Sequence, residues 1–238
     1  MRVVSLVPSI TEAVALSAPG ALVGATDWCT HPAELDVTRV GGTKNPDVGA
    51  VVALAPDLVV ANAEENREVD LAALRAAGLR VHVTDIRTVQ GAITSLAELL
   101  TLVGAAEPAW LRDARDAWAD PAPVRAGGRV RAVVPIWRRP WMHVGSDTYA
   151  GDVLACLGVD NVLAGHAERY PRVDPAALPD VDLVVLPDEP YAFSPDDGPE
   201  VFAPTPCALV SGRLLTWYGP AMVDAPRGLT AALRAALG

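Results

Sequence analysis

The stretch DVGAVVALAPDLVVANAEEN, residues 47–66, has a loose counterpart in RVDPAALPDVDLVVLPDEPY, residues 172–191. Each contains a short helical segment, then the apolar run D-L-V-V, then an acidic loop. Continuous apolar and β-branched runs are typical of strands buried in a parallel sheet. This internal similarity therefore predicts two α/β lobes of similar plan, although D-L-V-V also recurs by chance in α/β proteins.

Strands and helices are expected to alternate through the first half of the chain. Apolar strand patterns at 2–6, 22–25, 56–61 and 80–84 are separated by helical patterns, the first of which Ser9 and Glu12 are expected to cap as a capping box. Such alternation predicts a parallel sheet covered by helices. The expected division is an N-terminal α/β lobe at 1–88, a helical connection and linker at 89–126, and a C-terminal α/β lobe at 127–238.

The composition restricts the possible partners. The chain has 238 residues, of which 51% are hydrophobic, and a formal net charge of −10. A hydrophobic content of this size supports a substantial core, and the negative charge argues against nucleic acid and anionic membranes as main partners. No uncharged apolar stretch approaches the roughly 18 residues that a membrane span requires, so no membrane insertion is expected.

The N-terminus only superficially imitates an export signal, because Pro8 interrupts its apolar run and Glu12 adds a charge. The three cysteines, Cys29, Cys156 and Cys207, are odd in number and widely spaced, which does not indicate a disulfide framework. The sequence as written therefore predicts a cytoplasmic protein, or an exported one if a signal segment has been removed.

The usual signatures of nucleotide binding and of serine hydrolysis are missing. The chain contains no G-x-x-x-x-G-K-[ST] phosphate loop, no G-x-G-x-x-G after the first strand and no G-x-S-x-G elbow. We expect a protein that is not an enzyme.

The segment TDWCTHP, residues 26–32, concentrates reactive side chains and leaves several interpretations open. Cys29 and His31 alternate on an extended loop, so both could contact one metal ion, but the second ligand pair of a structural zinc site is missing. A catalytic Cys–His pair lacks an identifiable group to orient the base. The segment can also form one wall of a binding pocket.

The tryptophans favour the pocket interpretation. Four of the six lie in loops or at expected strand ends, where an indole left in water is costly. They pack across a lobe interface or hold a flat, partly apolar ligand, with polar contacts expected from His31, Glu64, Arg138 and Tyr218. The four are Trp28, Trp137, Trp141 and Trp217.

Five motifs in the same order resemble those of class III substrate-binding proteins, the cobalamin- and iron-siderophore-binding receptors of ABC importers. The resemblance implies two Rossmann-like lobes with parallel sheets, joined by a single backbone helix, with the ligand between them. The motifs are VVSLVPSITE (3–12), VGATDWCTHP (23–32), VGGTKNPDV (40–48), ALAPDLVVA (53–61) and TWYGPAMVDAPRGL (216–229).

The resemblance implies that Trp28, Trp141 and Trp217, with Tyr218 beside it, contact a planar macrocycle. It implies no intrinsic cofactor; the bound group would be a corrinoid, a haem-like molecule or a ferric siderophore. An ABC permease is an implied partner, but the positions of the carboxylates that dock such receptors hold Asn66 and residues near 219–220.

Three hypotheses follow. The favoured one is a soluble binding protein that holds a corrinoid or another metal chelate. The second is a cytosolic metal- or corrinoid-handling or regulatory protein that is no longer coupled to transport. The third, less favoured, is an enzyme that uses Cys29 and His31 with Asp27 or Glu64.

Overall fold

The computed structural model describes all 238 residues, which form two compact units. The N-terminal unit comprises Met1–Ile86, Gln90–Arg112 and Tyr218–Pro220. The C-terminal unit comprises Arg87–Val89, Asp113–Trp217 and Ala221–Gly238. The three-part division that the sequence predicts stays a prediction.

A five-stranded parallel sheet in the order β3-β2-β1-β6-β7 forms the centre of the N-terminal unit. Its strands are β1 (Val3–Ser5), β2 (Leu22–Ala25), β3 (Thr38–Arg39), β6 (Leu58–Asn62) and β7 (Val81–Thr84). The short pair β4 (Gly41–Gly42) and β5 (Asn45–Pro46) is antiparallel. The helices are α1 (Pro8–Ser17), α2 (Val48–Ala53), α3 (Glu68–Ala76) and α4 (Val89–Leu102), and the chain passes into the second unit within α5 (Ala109–Ala117).

The C-terminal unit has a four-stranded parallel sheet in the order β11-β8-β12-β13. These strands are β8 (Val130–Val133), β11 (Val159–Asn161), β12 (Leu183–Pro187) and β13 (Cys207–Val210). An antiparallel hairpin of β9 (Pro135–Arg138) and β10 (Trp141–His143) follows β8 directly. The helices are α6 (Tyr149–Cys156), α7 (Gly212–Thr216) and α8 (Ala225–Leu237).

The L-V-V residues of the two D-L-V-V segments lie in strands of the two sheets, and the preceding aspartates, Asp57 and Asp182, are exposed. In β6 and in β12 every residue is buried, as expected for parallel strands covered on both faces. Around β6 the buried cluster consists of Val4, Leu6, Val40, Val51, Val59, Ala61, Leu71 and Leu74. Around β12 it consists of Val133, Leu163, Val184, Leu186 and Phe193. The predicted fold class, two α/β lobes with parallel sheets, is confirmed.

The start of α1 differs from the prediction. The helix begins at Pro8, its N-cap is Val7, and no side chain caps it. Proline fits the first helical position well because it has no N–H to satisfy there. Ser9 is therefore already inside the helix, and the predicted capping box of Ser9 and Glu12 is wrong.

Candidate functional site

Trp28 lies in the loop after β2, at the carboxyl end of the N-terminal sheet, and 67% of it is exposed. Arg39 fixes the backbone on both sides of this indole by donating to the carbonyls of Thr26 (3.0 Å) and Cys29 (2.8 Å). On the neighbouring segment, a Cβ added at Gly42 would lie 3.6 Å from Nε1 of Trp28. Hydrogen bonds thus hold the backbone on both sides of Trp28, while its ring is exposed.

In contrast to Trp28, the neighbouring Cys29 is fully buried. Its Sγ lies 3.0 Å from Oγ1 of Thr11 and 3.1 Å from Oγ1 of Thr26. Burial raises the pKa of the Cys29 thiol, so the reactive thiolate is disfavoured. Nδ1 of His31 lies 3.1 Å from Oγ1 of Thr30 on the partly exposed loop. Neither environment is that of an activated nucleophile.

No group of three or more His, Cys, Asp or Glu side chains that could hold a metal ion occurs in the chain. Cys29 and His31 therefore have no third protein ligand, whereas protein metal sites supply three or four. A metal bound by this pair would take its remaining ligands from a bound molecule.

The loop after β6 carries Glu64 and Glu65, both half-buried. Lys44, the only lysine, donates through Nζ to the Glu64 carbonyl at 2.6 Å. Tyr218 donates to Oε1 of Glu65 at 3.2 Å, and burial raises the pKa of this phenol well above its usual value. Tyr218 is thus a buried residue of the N-terminal unit, whereas its neighbour Trp217 belongs to the C-terminal unit.

Asn66, at a position that the resemblance assigns to permease docking, is buried and has a structural role. Its Oδ1 accepts from the backbone N–H of Asn62 at 2.8 Å. Its Nδ2 donates to the carbonyls of Leu6 (3.3 Å) and Thr43 (2.9 Å). The amide therefore ties together three segments at the carboxyl end of the sheet.

Gly219, near the second such position, has φ of 148°, and a Cβ there would lie 3.1 Å from the Ser9 carbonyl oxygen. A side chain at this position would be strained by both backbone conformation and space. Neither Asn66 nor Gly219 projects a carboxylate.

In the C-terminal unit, the β9–β10 hairpin carries two of the predicted tryptophans into an aromatic cluster. Trp137 is 42% exposed and meets Tyr191 edge-on, with ring centroids 5.7 Å apart. Trp141 is stacked on Phe193 at 6.1 Å and meets the edge of Phe202 at 5.4 Å. The cluster presents Trp137 at its surface and holds Trp141 more deeply.

Arg138 connects this hairpin to the loop that supplies the other rings. Its guanidinium pairs with Asp197 and Glu200 and lies over the ring of Trp141, 5.6 Å from the centroid. Tyr191 donates to Oδ2 of Asp197 at 2.6 Å, which closes the network. The positive charge of Arg138 is therefore neutralised within the protein.

Sequence reasoning missed Tyr191, Phe193 and Phe202. All three lie beyond β12, in and after the acidic loop of the segment 172–191. The correspondence of this loop with the one carrying Glu64 was the available signal. Their contacts with the hairpin, however, depend on tertiary structure that the pattern alone does not give.

His143 ends β10 and is fully buried near Trp141, with ring centroids 6.4 Å apart and planes inclined by 25°. Neither of its ring nitrogens makes a hydrogen bond. Burial lowers the pKa of His143 to about 4. The ring is therefore neutral near pH 7.

The loop after β12 places two carboxylates next to the start of α7. Oδ1 of Asp188 accepts from the backbone N–H of Gly212 at 2.7 Å. Burial and the neighbouring Asp188 raise the pKa of Glu189, which accepts a hydrogen bond from Trp217 and faces Arg213. Arg213 also lies over the ring of Trp217, 5.4 Å from its centroid. Trp217 is thus packed on charged neighbours and only partly exposed.

Comparisons with known proteins agree with this architecture. Residues 3–182 match a family described as periplasmic binding protein. The periplasmic vitamin B12-binding protein BtuF of Vibrio cholerae has a TM-score of 0.77 at 21% identity, covering 99% of this chain and 97% of that one. The haem-binding protein HutB of Vibrio cholerae gives 0.78 at 19% identity, covering 98% of each chain.

The periplasmic haem-binding protein BhuT, solved with two haems, has a TM-score of 0.77 at 25% identity, covering 100% of this chain and 99% of that one. No curated protein sequence matches the chain. None of the helices combines the length and apolar character needed to cross a membrane.

Proposed function

Because the chain belongs to the periplasmic binding protein family, we propose that it is a non-enzymatic receptor for a planar metal chelate of the corrinoid or porphyrin type. The ligand is a bound guest, and the residues proposed to contact it are Trp28, His31, Glu64, Trp137, Trp141 and Trp217. The placement of that guest between the two lobes stays a prediction from the resemblance. Tyr218 is proposed to act indirectly, through its bond to Glu65.

The observation that carries this proposal is the exposure of Trp28 and Trp137. Each indole stands beyond a parallel strand, one in each unit, and each has a backbone or aromatic support that holds it in place. Ligands of open α/β sheets bind beyond the carboxyl ends of the strands. A solvent-facing indole at that edge is suited to stack on a flat ring system.

The ligands named for the similar structures support the same chemical class. BtuF binds vitamin B12, and BhuT and HutB bind haem. Both ligand types are metal complexes of a large, nearly planar macrocycle with apolar faces. Stacked aromatic side chains are a common means of holding such faces.

An enzyme built on Cys29 and His31 is not favoured. The thiol is buried among hydroxyl groups, and its raised pKa opposes the thiolate that nucleophilic catalysis requires. The hydrogen bonds of Cys29 with Thr11 and Thr26 instead give it a structural role.

Titration of the protein with cyanocobalamin, haemin and a ferric siderophore tests the proposal. We expect at least one to quench tryptophan fluorescence with a saturable dissociation constant at or below the micromolar range. If none of the three ligands caused quenching or a spectral change, the proposal would be contradicted.

A second candidate function is metal- or corrinoid-handling without coupling to a permease. Buried Asn66 and Gly219, which has no room for a side chain, occupy the positions where the resemblance expects docking carboxylates and therefore favour it. The similar proteins are periplasmic, which favours export of this chain. They give no support to the cytoplasmic location that the sequence predicts. Fractionation of cells that express the native gene separates the two: recovery outside the cytoplasm eliminates the handling role.

A further inference from the structure

Two segments of the C-terminal unit meet at Trp217, and the first of them is helix α7. Arg213 and Trp217 are four positions apart at this helix, a spacing that places both side chains on one helix face. The backbone N–H of Trp217 donates to the Arg213 carbonyl at 3.1 Å. The guanidinium of Arg213 lies over the indole, 5.4 Å from the ring centroid. One face of the Trp217 ring is thus covered from within its own helix.

The second segment is the loop after β12, which carries Glu189. The carboxylate of Glu189 accepts a hydrogen bond from the side chain of Trp217 and interacts electrostatically with Arg213. Since an indole has only one N–H, this bond fixes the edge of the ring while Arg213 covers its face. Burial raises the pKa of Glu189, and a hydrogen bond gains strength where water is excluded. Two neighbours therefore restrict the rotation of Trp217.

The loop reaches Trp217 because Gly212 allows it to approach helix α7 closely. A Cβ at Gly212 would lie 2.3 Å from Cγ of Glu189 and 2.9 Å from both its backbone nitrogen and its backbone oxygen. Any side chain at this position would therefore displace Glu189. Oδ1 of Asp188 accepts from the Gly212 N–H at 2.7 Å, which ties the loop to the start of the helix. Backbone contacts thus determine where the Glu189 carboxylate lies.

The arrangement of Glu189 differs from that of a carboxylate that only neutralises an arginine. Oε1 of Glu189 is buried and makes no hydrogen bond. A bidentate pair with Arg213 is therefore excluded, because such a pair uses both carboxylate oxygens. The hydrogen bond to the indole is the more specific interaction of this side chain.

We propose that Glu189 is a positioning residue of the binding site, whose carboxylate holds the indole of Trp217 in the orientation that meets the ligand. This inference rests on the proposed function, in which Trp217 contacts the macrocycle. A side chain that is ordered before binding loses less conformational entropy when the ligand arrives, and each such side chain contributes about three- to tenfold in affinity. Glu189 acts through Trp217 and does not itself contact the ligand.

Two substitutions at Glu189 separate the hydrogen bond from the charge. Glu189→Gln removes the charge but keeps an oxygen that accepts from the indole, whereas Glu189→Met removes both with little change in size. Haemin and cyanocobalamin are titrated with each variant. For the probe that the wild type binds, Glu189→Met should weaken binding by about three- to tenfold, and Glu189→Gln should stay within about twofold. Glu168→Met, at an exposed glutamate of the same unit, is the matched control and should also stay within about twofold.

Gly212→Ala approaches the same carboxylate from the opposite side. The added methyl group displaces Glu189 without changing its chemistry, so we expect a loss of affinity similar to that of Glu189→Met. Gly165→Ala is the control, because a Cβ at Gly165 meets no atom within 4 Å. Circular dichroism checks that each variant is folded, and Glu189→Met decides the question alone if Gly212→Ala is not.

The state of the Trp217 indole can also be measured without a ligand. The chain has six tryptophans, and the indole N–H signal that disappears from the proton–nitrogen NMR spectrum of Trp217→Phe belongs to Trp217. In Glu189→Met this proton should exchange with water roughly tenfold faster, because its acceptor is lost. In Glu189→Gln its exchange rate should stay close to that of the wild type.

The outcomes distinguish this inference from the proposed function. If Glu189→Met binds as tightly as the wild type, or if Glu189→Met and Glu189→Gln are weakened equally, the positioning role is overturned and the receptor function stands. Exchange of the Trp217 indole proton that does not respond to Glu189→Met overturns the positioning role as well. Failure of the wild type to bind either macrocycle overturns both.

Discussion

Tyr218 donates a hydrogen bond to Glu65 over 3.2 Å, although 153 residues separate the two in sequence. The phenol is buried, and with Gly219 and Pro220 it belongs to the N-terminal unit rather than to the unit that surrounds it in sequence. A short C-terminal segment thus fixes the acidic loop after β6.

Replacing Tyr218→Phe should therefore lower the free energy of unfolding by about 1–2 kcal/mol, since it removes the donor and keeps the ring. Urea unfolding, monitored by circular dichroism, measures the change in the free energy of unfolding. Tyr170→Phe, at a partly exposed tyrosine, is the matched control and should shift the midpoint by much less. Equal shifts for the two variants would contradict a specific role for the Glu65 bond.

Trp28→Ala should separate binding from stability. Because 67% of Trp28 is exposed, its removal is expected to change stability by less than about 0.5 kcal/mol. Removing an aromatic stacking partner should weaken binding of the ligand identified by titration by about tenfold. Trp118→Phe provides the contrast, because Trp118 is buried and its Nε1 donates to the Met222 carbonyl at 2.9 Å. Unchanged affinity in Trp28→Ala would exclude this indole from the site.

Arg138→Met should loosen the aromatic cluster, because it removes both ion pairs and the cation above Trp141. We expect weaker ligand binding by about three- to tenfold, in line with the usual strength of network couplings. Arg129→Met is the matched control, since Arg129 forms an exposed pair with Asp160 at 2.6 Å. Calorimetric titration of both variants should show the loss only for Arg138→Met, and a similar loss in both would argue against a positioning role.

Because of the buried His143, we expect the stability of the C-terminal unit to decrease in acid. The pKa of His143 is about 4 in the folded protein and 6.5 in a solvated chain, so between these values the unfolded state binds the proton. Stability from this residue is complete above pH 6.5 and is lost as the pH falls towards 4, by about 3 kcal/mol in all.

His143→Phe removes that titration and sacrifices no hydrogen bond, because both ring nitrogens lack one. Urea midpoints measured from pH 7 to pH 4.5 should fall less steeply in the variant than in the wild type. Parallel curves would show that His143 does not carry the acid sensitivity.

The fold was predictable because its main signal is local. Buried parallel strands have short, β-branched apolar sequences, and the L-V-V residues of both D-L-V-V segments lie in such strands, β6 and β12. The error at α1 was also local. The pattern of Ser9 and Glu12 fits a capping box, but Pro8 is better placed as the first helical residue than Ser9 is as a cap.

The candidate site was predictable only in part, because much of its structure depends on contacts between distant segments. Trp28 follows β2, and Trp137 follows β8 although it lies within the hairpin strand β9; a sequence pattern can indicate such positions beyond parallel strands. The stacking of Phe193 on Trp141 requires the loop after β12 to reach the β9–β10 hairpin. The role of Asn66 likewise comes from three backbone partners, two of them more than 20 residues away.

The chain has a single lysine, and its amine lies against the Glu64 backbone, on the loop proposed to meet the ligand. Apart from the α-amino group, amine-reactive dyes therefore have one side chain to label. A fluorophore on Lys44 would report on occupancy of this loop directly, so a ligand search could proceed by plate-based screening without introducing a cysteine.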